Sequence, residues 1–236
     1  MVRVCRGRVL FVSLGATALV MSTALGVAAS AAATTSSVLK AAKAAMAKQT
    51  GVHLVDSSKS GSSSILAIVD FSTKSGEETF SEGKVRLTLR VSPTYAYISG
   101  NASELTAIFG LTAAQAKKVG KDWISVKAGT SEYAAFKSGL TISSLVGVLP
   151  PTKGTTLSTT VTDGVHLYVL KWTTAATSSE PKLSNTMTIS AEGATLPVEE
   201  ITTASSGSAT TKFSRWGEHV VVSAPPAAST IAESKI

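Results

Sequence analysis

The chain is poor in the residues that most often carry chemistry. Its 236 residues include one cysteine and three histidines. The cysteine, Cys5, precedes a long apolar run, so the rest of the chain has no disulfide and no thiol to offer. His53, His166 and His219 stand far apart on three strand-like segments, in no H-x-x-x-H pair and with no cysteine to complete a zinc set. They read as surface or strand-face residues, and no metal or other cofactor is expected. The G-x-S-x-G elbow and the Walker and dinucleotide glycine patterns are absent. Charged residues make up only 16% of the chain and form no block, so a net charge of +7 calls for no nucleic acid.

A second absence is local. No charged residue occurs between Arg8 and Lys40. Arg3, Arg6 and Arg8 precede VLFVSLGATALVMSTALGVAASAAA, which is apolar at first and tapers into small residues. Ala29-Ser30-Ala31 and Ala31-Ala32-Ala33 both fit the small-x-small rule of signal peptidase. Residues 1–33 are therefore expected to be a signal peptide cleaved after Ala33, the alternative being a retained anchor of about 20 residues. Cleavage removes three arginines and no acid, which lowers the net charge to +4. Residues 34–229 are expected to form a single domain and 230–236 a C-terminal tail.

Between the signal and Gly51, TTSSVLKAAKAAMAKQTG reads as one helix. Thr35 or Ser36 can cap it, Val38, Leu39, Ala42, Ala45 and Met46 give it an apolar stripe, and Gly51 can stop it. From Val52 the period becomes that of strands. In KVRLTLRV, Val85, Leu87, Leu89 and Val91 point one way while Lys84, Arg86, Thr88 and Arg90 point the other, the mark of a half-buried antiparallel strand. Further strands fit 64–72, 92–100 after a turn at Pro93, 123–126, 156–162, 165–172, 186–191, 196–203, 209–213 and 220–223. Asp163-Gly164 is a hairpin turn by type, and Glu192-Gly193 marks another. Leu111–Gly120 reads as a short helix capped by Thr112, and Ser131–Pro150 as a helical or mixed segment. The order predicts an α+β domain with one large antiparallel sheet.

Catalytic constellations are weak. Ser37-Val38-Leu39-Lys40 matches S-x-x-K and KSG starts at Lys59, Lys74 and Lys137, but no companion S-x-N is suitably placed. The adjacent acids Glu77-Glu78 and Glu199-Glu200 would point to opposite faces of a strand, which disfavours joint acid–base work. The sequon at Asn101-Ala102-Ser103 carries no role in this reading. The chain is not expected to be an enzyme. What the pattern does offer is one apolar surface: Ile65, Val69, Phe71, Val85, Leu87, Leu89, Met187 and Ile189 would line it, covered only by the light segments 104–110 and 143–149. An ordinary sheet-on-helix core and a partly filled cleft for an acyl chain both fit that pattern.

The ending FSRWGEHVVVSAPPA, residues 213–227, is the most specific stretch. Phe213-Ser214, Trp216-Gly217-Glu218, Val220, Val222 and Ala224-Pro225-Pro226 give a cadence that resembles the close of the mycobacterial LppX/LprG lipoproteins, a family of LolA-like architecture. The segment DGVHLYVL, the strand around Leu196-Pro197-Val198 and the first helix are similar to the corresponding pieces of that family. The resemblance implies an actinobacterial envelope protein with a curved antiparallel half-barrel, helices on its concave face, and an apolar cavity for lipid or acylated cargo. It supplies no catalytic residue. Phe109, Leu145 and Leu149 become candidate gate residues, completing the ligand-lining set above. One departure matters: no lipobox cysteine stands near Ala31–Thr34, so the expected product is an exported, unanchored binding protein of the cell envelope. Peripheral membrane contact remains compatible with it. The alternative on the same fold is a sensor or interaction module that captures an envelope protein partner.

Overall fold

A computed structural model describes residues 33–177 and 181–236, so the expected signal peptide lies outside the described residues except for Ala33. The chain opens with α1 (Thr35–Met46). Its cap is Thr34, one residue before those anticipated: the Thr34 hydroxyl accepts from the Ser37 N–H, and the Ser37 hydroxyl answers the Thr34 N–H. Ser37 of the S-x-x-K match is thus engaged in a capping box. The helix ends at Met46, not at Gly51, because Gly51 opens the first strand.

Five strands follow: β1 (Gly51–Ser60), β2 (Ser63–Ser72), β3 (Gly76–Glu82), β4 (Val85–Val91) and β5 (Tyr95–Gly100). Two helices, α2 (Ala102–Phe109) and α3 (Ala113–Val119), lead to β6 (Trp123–Lys127). Asn101 caps α2, which accounts for the polar residue of the sequon, and Thr112 caps α3 in a second capping box with Gln115. Next come α4 (Ser131–Gly139), α5 (Ile142–Leu145) and a 3-10 turn at Val146–Val148. The second half is a meander: β7 (Thr156–Thr162), β8 (Val165–Thr174), β9 (Leu183–Ser190), β10 (Pro197–Ala204) and β11 (Gly207–Ser214). A last strand, β12 (Thr230–Ala232), and a 3-10 turn end the chain.

All twelve strands join one sheet in the order β12-β6-β5-β4-β3-β2-β1-β11-β10-β9-β8-β7. Every pairing is antiparallel except β12 on β6. The sheet is curved and does not close, and the helices pack on its concave side, as the resemblance implied. Two apolar clusters fill that side. The larger joins β1, β2, β4–β6 and β11 to Met46 of α1 and to α2–α5, with Phe71, Ile98, Leu105, Leu145 and Phe213 among its buried members. The smaller joins Val38, Leu39 and Ala42 of α1 to Leu170, Met187 and Ile189. Leu149 packs against both.

Three expectations change. The sequence pattern does not show β1 and β3, because GVHLVDSSKS loses its apolar alternation after Val55 and GEETFSE never has one. Val220–Ser223 is not a strand. It belongs to a linker that starts at β11 and must reach β6, six places along the sheet, or roughly 29 Å at the usual strand spacing. A segment that crosses strands cannot also pair with them. Residues 230–236 are not a tail: Thr230–Ala232 pairs with Trp123–Ser125, the half-buried Ile236 packs against the larger cluster, and Gln115 and Lys118 donate to the carbonyls of Ile236 and Lys235.

Candidate functional site

Strand register decides which side chains share the inner face. Across β11, β1, β2, β3 and β4 one row runs Thr211, Asp56, Ala67, Phe80, Leu87, and the next runs Phe213, Leu54, Val69, Glu78, Leu89. All eight strand residues read from sequence as one surface fall on this face: Ile65, Val69, Phe71, Val85, Leu87, Leu89, Met187 and Ile189. The structure divides them by cover. Val69, Phe71 and Leu89 are buried under the helices of the larger cluster, and Met187 and Ile189 are fully buried under α1. Ile65, Val85 and Leu87 are half-buried and, with Ala67, Phe80 and the inward Glu82, form a strip along β2–β4 of which Ala67 and Leu87 also pack against the larger cluster.

The three gate candidates separate in the same way. Leu145 has no exposed surface and belongs to the core, so it cannot line an opening in this conformation. Phe109, at the end of α2, is half-buried and meets Phe136 of α4 at 5.8 Å between ring centroids. Leu149 is half-buried at the junction of the two clusters. Phe109 and Leu149 are thus the two of the three that keep exposed surface.

Sequence reasoning missed the carboxylates. Glu199 and Glu200 do point to opposite faces, as do Glu77 and Glu78, and the inward members are Glu200 and Glu78. Asp56 joins them: it pairs with Thr211 on β11, which pairs with Glu200 on β10. Two strand spacings, about 10 Å, separate Asp56 from Glu200. All three carboxyls lie above the ordinary range. Burial is the main cause in each case. For Asp56, hydrogen bonding from the Thr211 side chain offsets part of the rise. Repulsion from Asp56 adds to the rise of Glu78 and of Glu200, the latter reaching about 7. At the base of α2, Glu104 is also buried, one oxygen accepting from Ser103 and the other without a hydrogen-bond partner.

Basic strand residues go the other way. Lys59, Arg86, Arg90, Lys171 and Lys212 all occupy outward register positions. A chain with a net positive charge thus presents carboxylates and no strand lysine or arginine on its inner face. On the outer face a polar row crosses the sheet. His53 Nδ1 lies 2.7 Å from Asp70, Arg215 lies 3.6 Å from Asp70, Arg90 pairs with Glu77 at 3.1 Å, and the Arg90 guanidinium sits 4.7 Å from the centroid of Trp123. His166 and His219 are exposed, and no group of acids, histidines or cysteines among the described residues could hold a metal ion.

Two surface hollows accompany this geometry. One, of about 490 Å³, lies at the β1–β4 hairpin ends and is lined largely by hydroxyls with Lys59 and Arg86. The other, of about 580 Å³, lies between Ala33–Thr35 and Leu157–Thr159. Only Ile65, in the first, belongs to the ligand-lining set. Among the described residues no helix is long and apolar enough to cross a membrane.

No family model and no curated protein matches the chain. Solved structures similar to it include the Mycobacterium tuberculosis lipoprotein LppX, at 19% identity and a TM-score of 0.49, covering 80% of this chain and 98% of that one. LprF from Mycobacterium bovis gives 15% identity and a TM-score of 0.48, over 81% of this chain and 96% of that one. The Pseudomonas aeruginosa MucA/MucB complex gives 12% identity and a TM-score of 0.37, over 82% of this chain and 58% of that one.

Proposed function

We propose that this protein is an exported, non-enzymatic binding protein of the cell envelope that holds a lipid or other hydrophobic ligand between its sheet and its helices. The observation that carries the reading is the half-buried strip Ile65, Ala67, Phe80, Val85, Leu87, which continues the apolar inner face from the core into partly exposed surface. An acyl chain laid on it gains about 0.8 kcal/mol per buried methylene, so ten methylenes contribute roughly 8 kcal/mol before ordering costs. Movement of the Phe109 and Leu149 segments would extend the strip beneath α2 and the 3-10 turn.

The surrounding charge narrows the ligand. Carboxylates accept hydrogen bonds and repel anions, so the polar end of the ligand is expected to be neutral and rich in donors, such as sugar or glycerol hydroxyls. The test is to purify the protein from its native envelope and from a foreign cytosol, extract under denaturing conditions, and weigh what comes off. A defined neutral lipid at near-stoichiometric amount from the native source supports the reading. Clean protein from both sources, with no uptake of added lipids, rejects it and leaves the partner-binding alternative.

A further inference from the structure

The two edges of the sheet are unlike. β12 is three residues long and is followed at once by a 3-10 turn. β7 is seven residues long, pairs only with β8 among the described residues, and exposes six of its seven residues. Its sequence, TLSTTVT, has no charge, no proline and no bulge, the devices that normally keep an edge from pairing with another chain. Alternate residues of such an edge hold their N–H and C=O groups toward solvent.

We propose that β7 is a homodimer interface, pairing antiparallel with β7 of a second copy about a two-fold axis through Thr159. The register follows from the sequence. With Thr159 opposite itself, Leu157 faces Val161, Ser158 faces Thr160 and Thr156 faces Thr162, and each pair occurs twice by symmetry. These are the pairs that stabilise antiparallel ladders: apolar with apolar on the inner face, hydroxyl with hydroxyl on the outer. A slip by one residue would set Leu157 and Val161 against hydroxyls, so the pattern favours this alignment.

Two further observations fit the same axis. Val161, which would face Leu157 of the second copy, is 56% exposed. The hollow of about 580 Å³ lies between the start of α1 and Leu157–Thr159, the stretch of edge along which Thr159–Val161 of the second copy would run. At the ends of the strand, Lys153 lies before β7 and Asp163 after it, so the two-fold brings the lysine of one copy near the aspartate of the other. The contact is small for an obligate dimer, and a concentration-dependent equilibrium is expected.

The full chain is expressed in a Cys5→Ser background, and its processed form is defined by intact mass. Sedimentation across a hundredfold concentration range should show a dimer that dissociates on dilution. Thr159→Lys, which sets two like charges on the axis, should be monomeric with an unchanged circular dichroism spectrum. Under mild oxidation Thr159→Cys should form a reducible dimer, while Val161→Cys, displaced from its own copy by four residues, should not. A wild type that stays monomeric throughout, a Thr159→Lys variant that still dimerises, or equal cross-linking at 159 and 161 would each overturn the proposal. So would exclusive cross-linking of Thr159→Cys to a different protein in the cell, since the edge would then belong to that chain.

Discussion

Glu200 is the residue whose chemistry is most altered by its place in the fold. Its pKa of about 7, against 4.5 for the free side chain, means that the native state binds more protons than the unfolded one between those two values. Stability therefore falls as pH rises through that window, and the penalty is complete above about pH 7. Asp56 and Glu78 are shifted in the same sense and steepen the fall. Glu200→Gln keeps the shape and removes the charge. It should stabilise the protein at pH 8 by roughly 1–2 kcal/mol, a gain that vanishes near pH 4. Urea titrations of both proteins at the two pH values measure this, and equal stabilities at pH 8 would show that Glu200 is better solvated than the structure indicates. The outward or inward sense of each acid was legible from strand parity. Their convergence was not, since it depends on β1 lying between β2 and β11, and nothing local in the sequence joins residue 56 to residue 200.

Among the elements, the linker that follows β11 shows why the chain closes as it does. Trp216 stacks parallel to Phe213 with 6.1 Å between ring centroids, and its Nε1–H donates to the Pro197 carbonyl at 2.9 Å. Gly217 donates to the Gly51 carbonyl and accepts from the Thr50 hydroxyl, in a backbone conformation with φ of +84° that suits glycine. The linker then passes so near the start of β1 that a Cβ on Gly51 would collide with the carbonyl oxygen of Glu218. Gly51→Ala should thus lift the linker while leaving the strands paired. The expected outcome is a loss of about 2–3 kcal/mol and rapid proteolytic cleavage within residues 215–229, with the sheet core still protected from hydrogen exchange. Uniform loss of protection would instead make the linker part of the cooperative core. Trp216→Phe keeps the stacking and loses one partly buried hydrogen bond, for about 1 kcal/mol by the same titration. The cadence was visible in the sequence, but its three valines read as a strand because β-propensity carries no information about whether a partner edge is in reach.

For the whole molecule the consequence is a separation of charge that net composition hides. Strand alternation sends the basic side chains of the sheet outward and leaves the inner face, the proposed ligand face, with Asp56, Glu78, Glu82 and Glu200. A lipid with a permanent negative charge must approach those carboxylates at low local dielectric, whereas a neutral one meets only donors' natural acceptors. Two fluorescent lipids with the same acyl chains, a diacylglycerol and a phosphatidylglycerol, separate these contributions. Both bury the same methylenes, so their apolar gain is equal. The diacylglycerol should bind at pH 8 and change little by pH 5. The phosphatidylglycerol, whose own charge is constant over that range, should bind weakly at pH 8 and gain about tenfold or more as Glu200 takes up its proton. Glu200→Gln should recover part of that gain at pH 8 without altering diacylglycerol binding. If both lipids bind alike at both pH values, the ligand does not lie along the inner strip, and a site reached from the outer face or the sheet edge would have to carry the function instead.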